Sequence, residues 1–289
     1  MTILAPDSFT RYLAAKKTVD DRALNAHVWE TLVRSLPHVT AECPLRVLEV
    51  GAGIGTMVER LTERGVLTHA AYTAVDDQAE NIAEARRRLA GKTGRVQVAL
   101  HTADLFDFIR QRAGQTWDLL IAHAVLDLLD VPTALPKLLG GLRPGGLFYF
   151  TLNFDGGTIF QPEIDPAFDA RIEALYHRTM DERIIGGQRS GDSRTGRRLF
   201  GHARQAGAEV LAAGSADWVV FAGPQGYLAD EAYFLRFIVN TLQRALTGQA
   251  GLDAARFDAW IAERHAQIER GELVYIAHQL DVLGRTKTG

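Results

Sequence analysis

The stretch Leu45-Arg46-Val47-Leu48-Glu49-Val50-Gly51-Ala52-Gly53-Ile54-Gly55-Thr56 constrains this chain more than any other. An aliphatic and β-branched run ends in an acid and then three alternate glycines. Beyond them Met57, Val58 and Leu61 are apolar while Glu59, Arg60 and Glu63 are polar, which predicts strand, tight turn and helix. Alternate glycines allow positive φ and remove each Cβ that would stand between backbone and ligand. The N–H groups that open the helix then face the crevice at the strand's carboxyl end, where open α/β sheets hold cofactors.

The pattern repeats. Ala71-Tyr72-Thr73-Ala74-Val75-Asp76 predicts a second strand whose terminal acid lies 25 residues past Gly51. Asp77 and Glu80 have the spacing of a capping box, so Asp77 is expected to cap the next helix. That leaves Asp76 free to accept hydrogen bonds from a ribose diol, a task that suits two carboxylate oxygens. A third strand, Val96 to His101, leads to Thr102-Ala103-Asp104-Leu105-Phe106. A fourth, Trp117 to Ala122, is apolar but for Asp118, as a buried parallel strand should be. His123 to Asp130 then runs into a helix closed by Arg143-Pro144-Gly145-Gly146, and a fifth strand covers Leu147 to Asn153.

Glycine spacing separates two cofactor classes. A dinucleotide fingerprint requires Gly-x-Gly-x-x-Gly/Ala, and its last place is here Thr56. Glu-x-Gly-x-Gly-x-Gly instead resembles motif I of the class I S-adenosylmethionine-dependent methyltransferases, and the succession over residues 45–153 resembles that superfamily without a gap. The resemblance implies an α/β fold: a Rossmann-like seven-stranded sheet, mostly parallel with an antiparallel last strand, carrying helical cap insertions. It implies S-adenosylmethionine as cofactor, S-adenosylhomocysteine as product, and no metal. It places Gly51, Ala52, Gly53 and Gly55 against the cofactor, with Glu49 orienting the methionine amino group. Asp76, with Asp77 beside it, takes the ribose; Asp104 binds the adenine amino group while Leu105 packs on the ring; His123 stands at the fourth strand's mouth. Asp107 competes with Asp104, and a plain helix cap is the alternative for either.

Composition narrows the field further. A net charge of −3 argues against a broad nucleic-acid surface, and a single cysteine, Cys43, excludes an internal disulfide framework and a cysteine-rich metal site. No apolar run is long enough to span a bilayer and Met1 to Lys17 lacks a secretory apolar core, so a cytoplasmic location is expected. The residues after the fourth strand are not the Asn/Asp-Pro-Pro-Tyr/Phe box that holds an extruded base.

The rest of the chain divides into a helical lid over 1–44, the cofactor-binding core over 45–153, an insertion over 154–197 and a return to the core over 198–222. A helical insertion over 223–271 and the last strand with its tail over 272–289 complete it. Residues 7–37 are expected to be helical and Phe154 to Ile164 to form a polar loop. The sixth strand is expected at Val210 to Ala212, reaching toward Phe221, and a seventh at Leu273 to Asp281. Two amphipathic helices are expected in the second insertion, the first with Leu228, Leu235, Ile238 and Leu242 on its stripe. Their apolar faces serve either the cap or a homodimer. Lys16 to Asp21 forms either a lid contact or a solvated face with i,i+4 pairs such as Lys17–Asp21.

Such a cap suits a small-molecule acceptor better than a macromolecule, with oxygen, nitrogen or carbon receiving the methyl group. His123 and Asp127 are the candidate proton acceptors. Tyr12, Asn153, His177 and Arg194 are candidate acceptor-binding residues. Arg189, Arg194, Arg197 and Arg198 either grip a carboxylate or phosphate or belong to a solvated loop. A nicotinamide-dependent oxidoreductase and a non-catalytic S-adenosylmethionine-binding regulator are the alternative functions.

Overall fold

A computed structural model of the chain describes residues 8–288. Residue 7, where the first helix is expected to begin, and the segment before it lie outside the described residues, as does residue 289. The elements run α1 (Phe9–Ala23), α2 (Ala26–Ser35), β1 (Leu45–Val50), α3 (Thr56–Glu63), β2 (Ala70–Asp76), α4 (Ala79–Leu89) and β3 (Val96–Thr102). Next come α5 (Leu105–Gln111), β4 (Trp117–His123), one 3-10 turn (Leu126–Leu128), α6 (Val131–Leu139), β5 (Leu142–Gln161) and α7 (Pro166–Asp181). The short strands β6 (Ile184–Ile185) and β7 (Gln188–Arg189) precede α8 (Thr195–Gln205), β8 (Ala208–Ser215) and β9 (Trp218–Val220). The chain closes with α9 (Glu231–Leu246), α10 (Ala254–Glu269) and β10 (Val274–Thr286).

The main sheet has eight strands in the order β3-β2-β1-β4-β5-β10-β8, with β9 also paired to β10. β1 to β5 are parallel, and β10 runs antiparallel to β5, β8 and β9. Strand order reverses at β1, which has β2 on one side and β4 on the other, and this is where an open α/β sheet leaves a crevice. Val28, Leu32, Met57 and Leu61 cover one face of the sheet, and Phe108, Leu135, Leu138 and Leu199 the other. A separate apolar cluster joins α1, α7, α9 and α10 to β9 and the far ends of β5 and β10.

Several boundaries differ from expectation. The first helical segment breaks at Leu24–Asn25, because Asn25 is held from both sides: its N–H donates to Asp281 and its side chain caps α2 at Val28 N. The expected polar loop from Phe154 continues β5 to Gln161, since β10 supplies a paired partner through Gln161. The sixth strand is split in two by Ala216-Asp217, where Asp217 accepts hydrogen bonds from Ser215 and from Gln279 N, so the sheet has one strand more than expected. Leu228 falls before α9 and is exposed. The expected capping box is absent: Gln78 occupies the N-cap of α4 without a side-chain cap, and Asp77 does not cap the helix.

Two non-glycine residues near the site take positive φ, Ala124 (53°) just past β4 and Leu152 (54°) within β5. Strained backbone of this kind persists only where its surroundings over-determine it. Here Ala124 N donates to Thr151 O, and Leu152 N donates to the fully buried Asp281 carboxyl at 2.8 Å. Burial pushes the Asp281 carboxyl up to about 7, against the lowering effect of the Leu152 and Asn25 N–H groups. Asp281 therefore holds the α2 start and the β5 bend together. Asp281→Ala, which strands two buried N–H donors, is expected to cost roughly 3 kcal/mol in urea unfolding, and Asp281→Asn less. Equal stability of the three proteins would contradict this role.

Candidate active site

A cavity of about 1330 Å³ opens at the carboxyl ends of β1 to β4. Single small-molecule sites run to roughly 300–1,000 Å³, so the space accommodates two ligands side by side. Gly51, Ala52, Gly53, Asp76, Asp77, Asp104, Leu105, His123, Asp127 and Tyr12 line it. Glu49, Gly55, Asn153, His177 and Arg194, also expected at the site, do not line it.

The turn after β1 has the geometry its glycines permit. Gly51 and Gly53 take φ of +64° and +53°, and a Cβ on Gly51 would lie 2.7 Å from Val125 Cγ2. Asp76 fixes this turn: Oδ2 accepts Gly53 N at 2.8 Å, while Oδ1 accepts Gln78 N at 3.0 Å and Asn81 Nδ2 at 2.9 Å. The two acids thus exchange the duties expected of them. Asp76 is buried and committed to backbone and Asn81, whereas Asp77 is exposed on the rim and bonded only by Gln78 Nε2. Asp104 caps α5, accepting Phe106 N and Asp107 N both at Oδ1, which leaves Oδ2 without a partner among the described residues. Capping and ligand binding are therefore compatible at Asp104.

The residues that miss the cavity are held elsewhere for visible reasons. Glu49 points into the sheet, accepts the Tyr72 hydroxyl at 2.8 Å and is 1% exposed. Burial pushes its carboxyl up to about 8, only partly opposed by the Tyr72 bond and by Arg60. Asn153 donates to Leu280 O within the β5–β10 pair. His177 pairs with Thr158 Oγ1 at 3.0 Å and sits edge-on to Phe154. Arg194 precedes α8 with its N–H on Asp192; Arg197 is spent on Asp155, Arg198 on Asp192, and Arg189 donates to Asp181 O.

His123 is clamped at both nitrogens, Nδ1 to Thr151 Oγ1 at 2.7 Å and Nε2 to Asp20 Oδ2 at 3.0 Å. Burial holds the imidazole down at about 4 despite the Asp20 carboxylate, so the ring is neutral. Burial would raise Asp20, but Lys16 at 2.8 Å and the His123 bond hold it well below the ordinary carboxylate range. Nε2–H accordingly donates to Asp20, and Nδ1 accepts from Thr151. Trp218 Nε1 donates to the second Asp20 oxygen at 2.9 Å, and Arg60 pairs with Asp21. The charged run Lys16 to Asp21 therefore has two sides: Lys17–Asp21 is the expected i,i+4 pair at 3.0 Å, while Lys16–Asp20 is buried beside the cavity.

Asp127 differs from His123 in keeping one atom uncommitted. Its Oδ1 is sealed from solvent and accepts no hydrogen bond among the described residues. Burial pushes its carboxyl up to about 6, with its own backbone N–H, Arg183 and Lys16 opposing. Sequence reasoning missed several cavity residues: Thr158, Trp218, Tyr275 and Gln279 converge only when β9 and β10 fold back beside β5. The available signal was Gln279 and Asp281, buried polar residues among the apolar residues of the last strand. Among the described residues no group of three or more His, Cys, Asp and Glu side chains is arranged to hold a metal ion, and no helix is long and apolar enough to cross a membrane.

Sheet order, glycine turn and acid-tipped strands define a class I methyltransferase core. Residues 48–148, about a third of the chain, match the family described as "Methyltransferase domain". The chain is 34% identical over 116 residues to a trans-aconitate 2-methyltransferase of Pseudomonas aeruginosa, covering 40% of this chain and 38% of that one. It is 38% identical over 110 residues to a non-reducing polyketide synthase of Macrophomina phaseolina, covering 35% of this chain and 5% of that one. Thus the chain spans well under half the length of either curated relative. Solved structures similar to it include two described as S-adenosylmethionine-dependent methyltransferases in complex with S-adenosylhomocysteine. One, from Geobacter sulfurreducens, has 15% identity and TM-score 0.49, covering 94% of this chain and 97% of that chain. The other, from Thiobacillus denitrificans, has 16% identity and TM-score 0.48, covering 96% and 98%.

The Glu49 environment makes a pH-dependent prediction. In the unfolded chain the carboxyl ionises near 4.5, in the folded protein at about 8, so Glu49 opposes folding increasingly as pH rises between these values. Glu49→Gln should raise Tm by several degrees at pH 8 and leave it unchanged at pH 4. A change independent of pH would show that Glu49 ionises normally in the fold.

Proposed function

We propose that this protein is an S-adenosylmethionine-dependent methyltransferase that modifies a small molecule. The observation that carries the reading is the convergence of three strand tips on one cavity: Gly51–Gly53 after β1, Asp76–Asp77 after β2 and Asp104–Leu105 after β3. The match to the methyltransferase domain family over the same stretch supports it. The glycine turn leaves backbone where a Cβ would obstruct, which fits an elongated nucleoside ligand. Asp77 Oδ2 has no partner among the described residues and Asp76 retains acceptor capacity, so together they offer acceptors to the ribose diol. Asp104 Oδ2 accepts from the adenine amino group, and Leu105 packs beside the ring. Thr56, the first residue of α3, stands where a dinucleotide site requires glycine or alanine.

Bound S-adenosylmethionine supplies an activated methyl group on a positive sulfonium, so the protein mainly aligns the acceptor and removes its proton. His123 holds the mouth of β4 in place, since both its nitrogens are engaged. Asp127 takes the acceptor's proton at Oδ1, and its raised pKa suits a base working near neutrality. The far wall of the cavity, from α1, α7, α9 and the ends of β5 and β10, encloses the acceptor.

Isothermal titration with S-adenosylhomocysteine, NAD and NADP should give micromolar binding of the first alone. Selective binding of a nicotinamide cofactor would replace this reading with the oxidoreductase one. Asp77→Ala should weaken S-adenosylhomocysteine about tenfold with Tm unchanged, through loss of a hydrogen bond to a charged acceptor. Asp76→Ala should lower both affinity and Tm, because it also frees the glycine turn. Asp127→Asn should abolish turnover while leaving S-adenosylhomocysteine affinity intact. In the parent protein turnover should fall as pH drops through about 6, where Asp127 takes up its proton. A flat rate between pH 5 and 7 would remove Asp127 from the reaction.

A further inference from the structure

The half of the cavity that the cofactor reading leaves open has a chemistry of its own. One wall is a run of stacked rings: Tyr12 lies on Phe237 at 4.0 Å and 18°, and on Phe234 at 5.7 Å and 10°. Trp218, Tyr176 and Tyr275 also line this end. The hydroxyls of Tyr12, Tyr176 and Tyr275 make no hydrogen bond among the described residues. Gln279 is 2% exposed, lines the cavity, and its Nε2 has no partner among the described residues. Buried polar groups normally have partners, so a buried, unpartnered amide beside an aromatic wall marks a place for a ligand oxygen.

Charge selects among ligands for this half. Lys16 is neutralised by Asp20 at 2.8 Å, although its Nζ makes no hydrogen bond among the described residues, and Arg183 keeps its charge while its donors rest on Ser190 O and Leu128 O, each at 2.9 Å. A carboxylate or phosphate acceptor would therefore find one cation already neutralised and the donors of the other already engaged. An ammonium acceptor would meet Asp127 with the Arg183 charge acting on the same carboxyl. That positive charge opposes a cation and favours negative charge developing on an oxygen.

We propose that the acceptor is an uncharged, flat aromatic or conjugated molecule bearing a hydroxyl group, with Gln279 Nε2 donating to one of its oxygens and Asp127 Oδ1 receiving the hydroxyl proton. This rests on the neighbouring half being the cofactor site. The O–H bond breaks with its electron pair left on oxygen, and that oxygen forms the new bond to the methyl carbon. The carbon–sulfur pair departs on sulfur, which becomes a neutral thioether, and Asp127 later releases its proton to water. The reaction is thus an O-methylation.

The test uses three probes on one ring skeleton, titrated into the full chain saturated with S-adenosylhomocysteine: 2-naphthol, 2-naphthoate and 2-naphthylmethylammonium. The naphthol should bind, and the two charged probes at least about tenfold more weakly, the scale of one charged group left uncompensated. Gln279→Met should weaken naphthol about tenfold while S-adenosylhomocysteine affinity stays at its parent value. Ala245→Phe, which fills the same half from α9, should block naphthol and spare the cofactor product. Equal or tighter binding of either charged probe would overturn the proposal, as would normal S-adenosylhomocysteine binding with no naphthol binding. Naphthol affinity unchanged in Gln279→Met would remove Gln279 from recognition. Failure of S-adenosylhomocysteine to bind the parent would instead overturn the cofactor reading and this inference with it.

Discussion

The Asp76 carboxylate holds the site together. One side chain at the tip of β2 accepts Gly53 N from the neighbouring turn, Gln78 N from the start of α4 and Asn81 Nδ2 from the first turn of that helix. A glycine turn with successive positive φ values has little intrinsic stiffness, and glycine loses more freedom on ordering than any other residue. A buried, charge-assisted acceptor supplies the missing constraint. The same residue that shapes the cavity thereby borders it. Asp76 is therefore tied to the stability of the turn, whereas Asp77, on the rim, is not.

A second constraint closes the cavity from the other side. Helix α1 reaches across the sheet ends with Tyr12, Leu13 and Lys16 facing the space. Burying Lys16 and Asp20 carries a desolvation cost, and an ion pair repays it only with good geometry and further hydrogen bonds. Asp20 meets both, accepting from His123 Nε2 and Trp218 Nε1 and pairing with Lys16, whereas Lys16 Nζ makes no hydrogen bond among the described residues. This network fixes His123 as a neutral structural group and ties α1 to β4 and β9. It is local to the site, and it does not engage Asp127, whose Oδ1 has no partner among the described residues.

Much of this was legible in the sequence because the parallel half of the sheet is built from local signals. Each of β1 to β4 is a short, mostly apolar run with a polar residue at or next to its end, and three alternate glycines mark the turn after β1. The tips of the first three strands could thus be read directly, down to Gly53, Asp76 and Asp104. Division of labour between adjacent acids could not. A capping box is a spacing rule, and Asp77 satisfies it, but the tertiary bond from Gly53 N draws Asp76 to the backbone and leaves Asp77 outside. The acceptor half was hidden for a different reason. Thr158, Trp218, Tyr275 and Gln279 lie on three strands whose pairing is antiparallel and long-range, so no window of sequence brings them together. Extension of β5 to Gln161 has the same origin, since its polar outer part becomes a strand only when β10 lies beside it.

The central claim is that the tips of β1, β2 and β3 hold the nucleoside of S-adenosylmethionine while the aromatic half stays open for the acceptor. A crystal structure of the protein grown with S-adenosylhomocysteine tests it most directly. The account predicts density for the ribose beside Asp76 and Asp77, the adenine against Asp104 and Leu105, and the homocysteine sulfur turned toward Asp127. Density for the product in the aromatic half, between Tyr12 and Gln279, would contradict the division of the cavity on which the account depends.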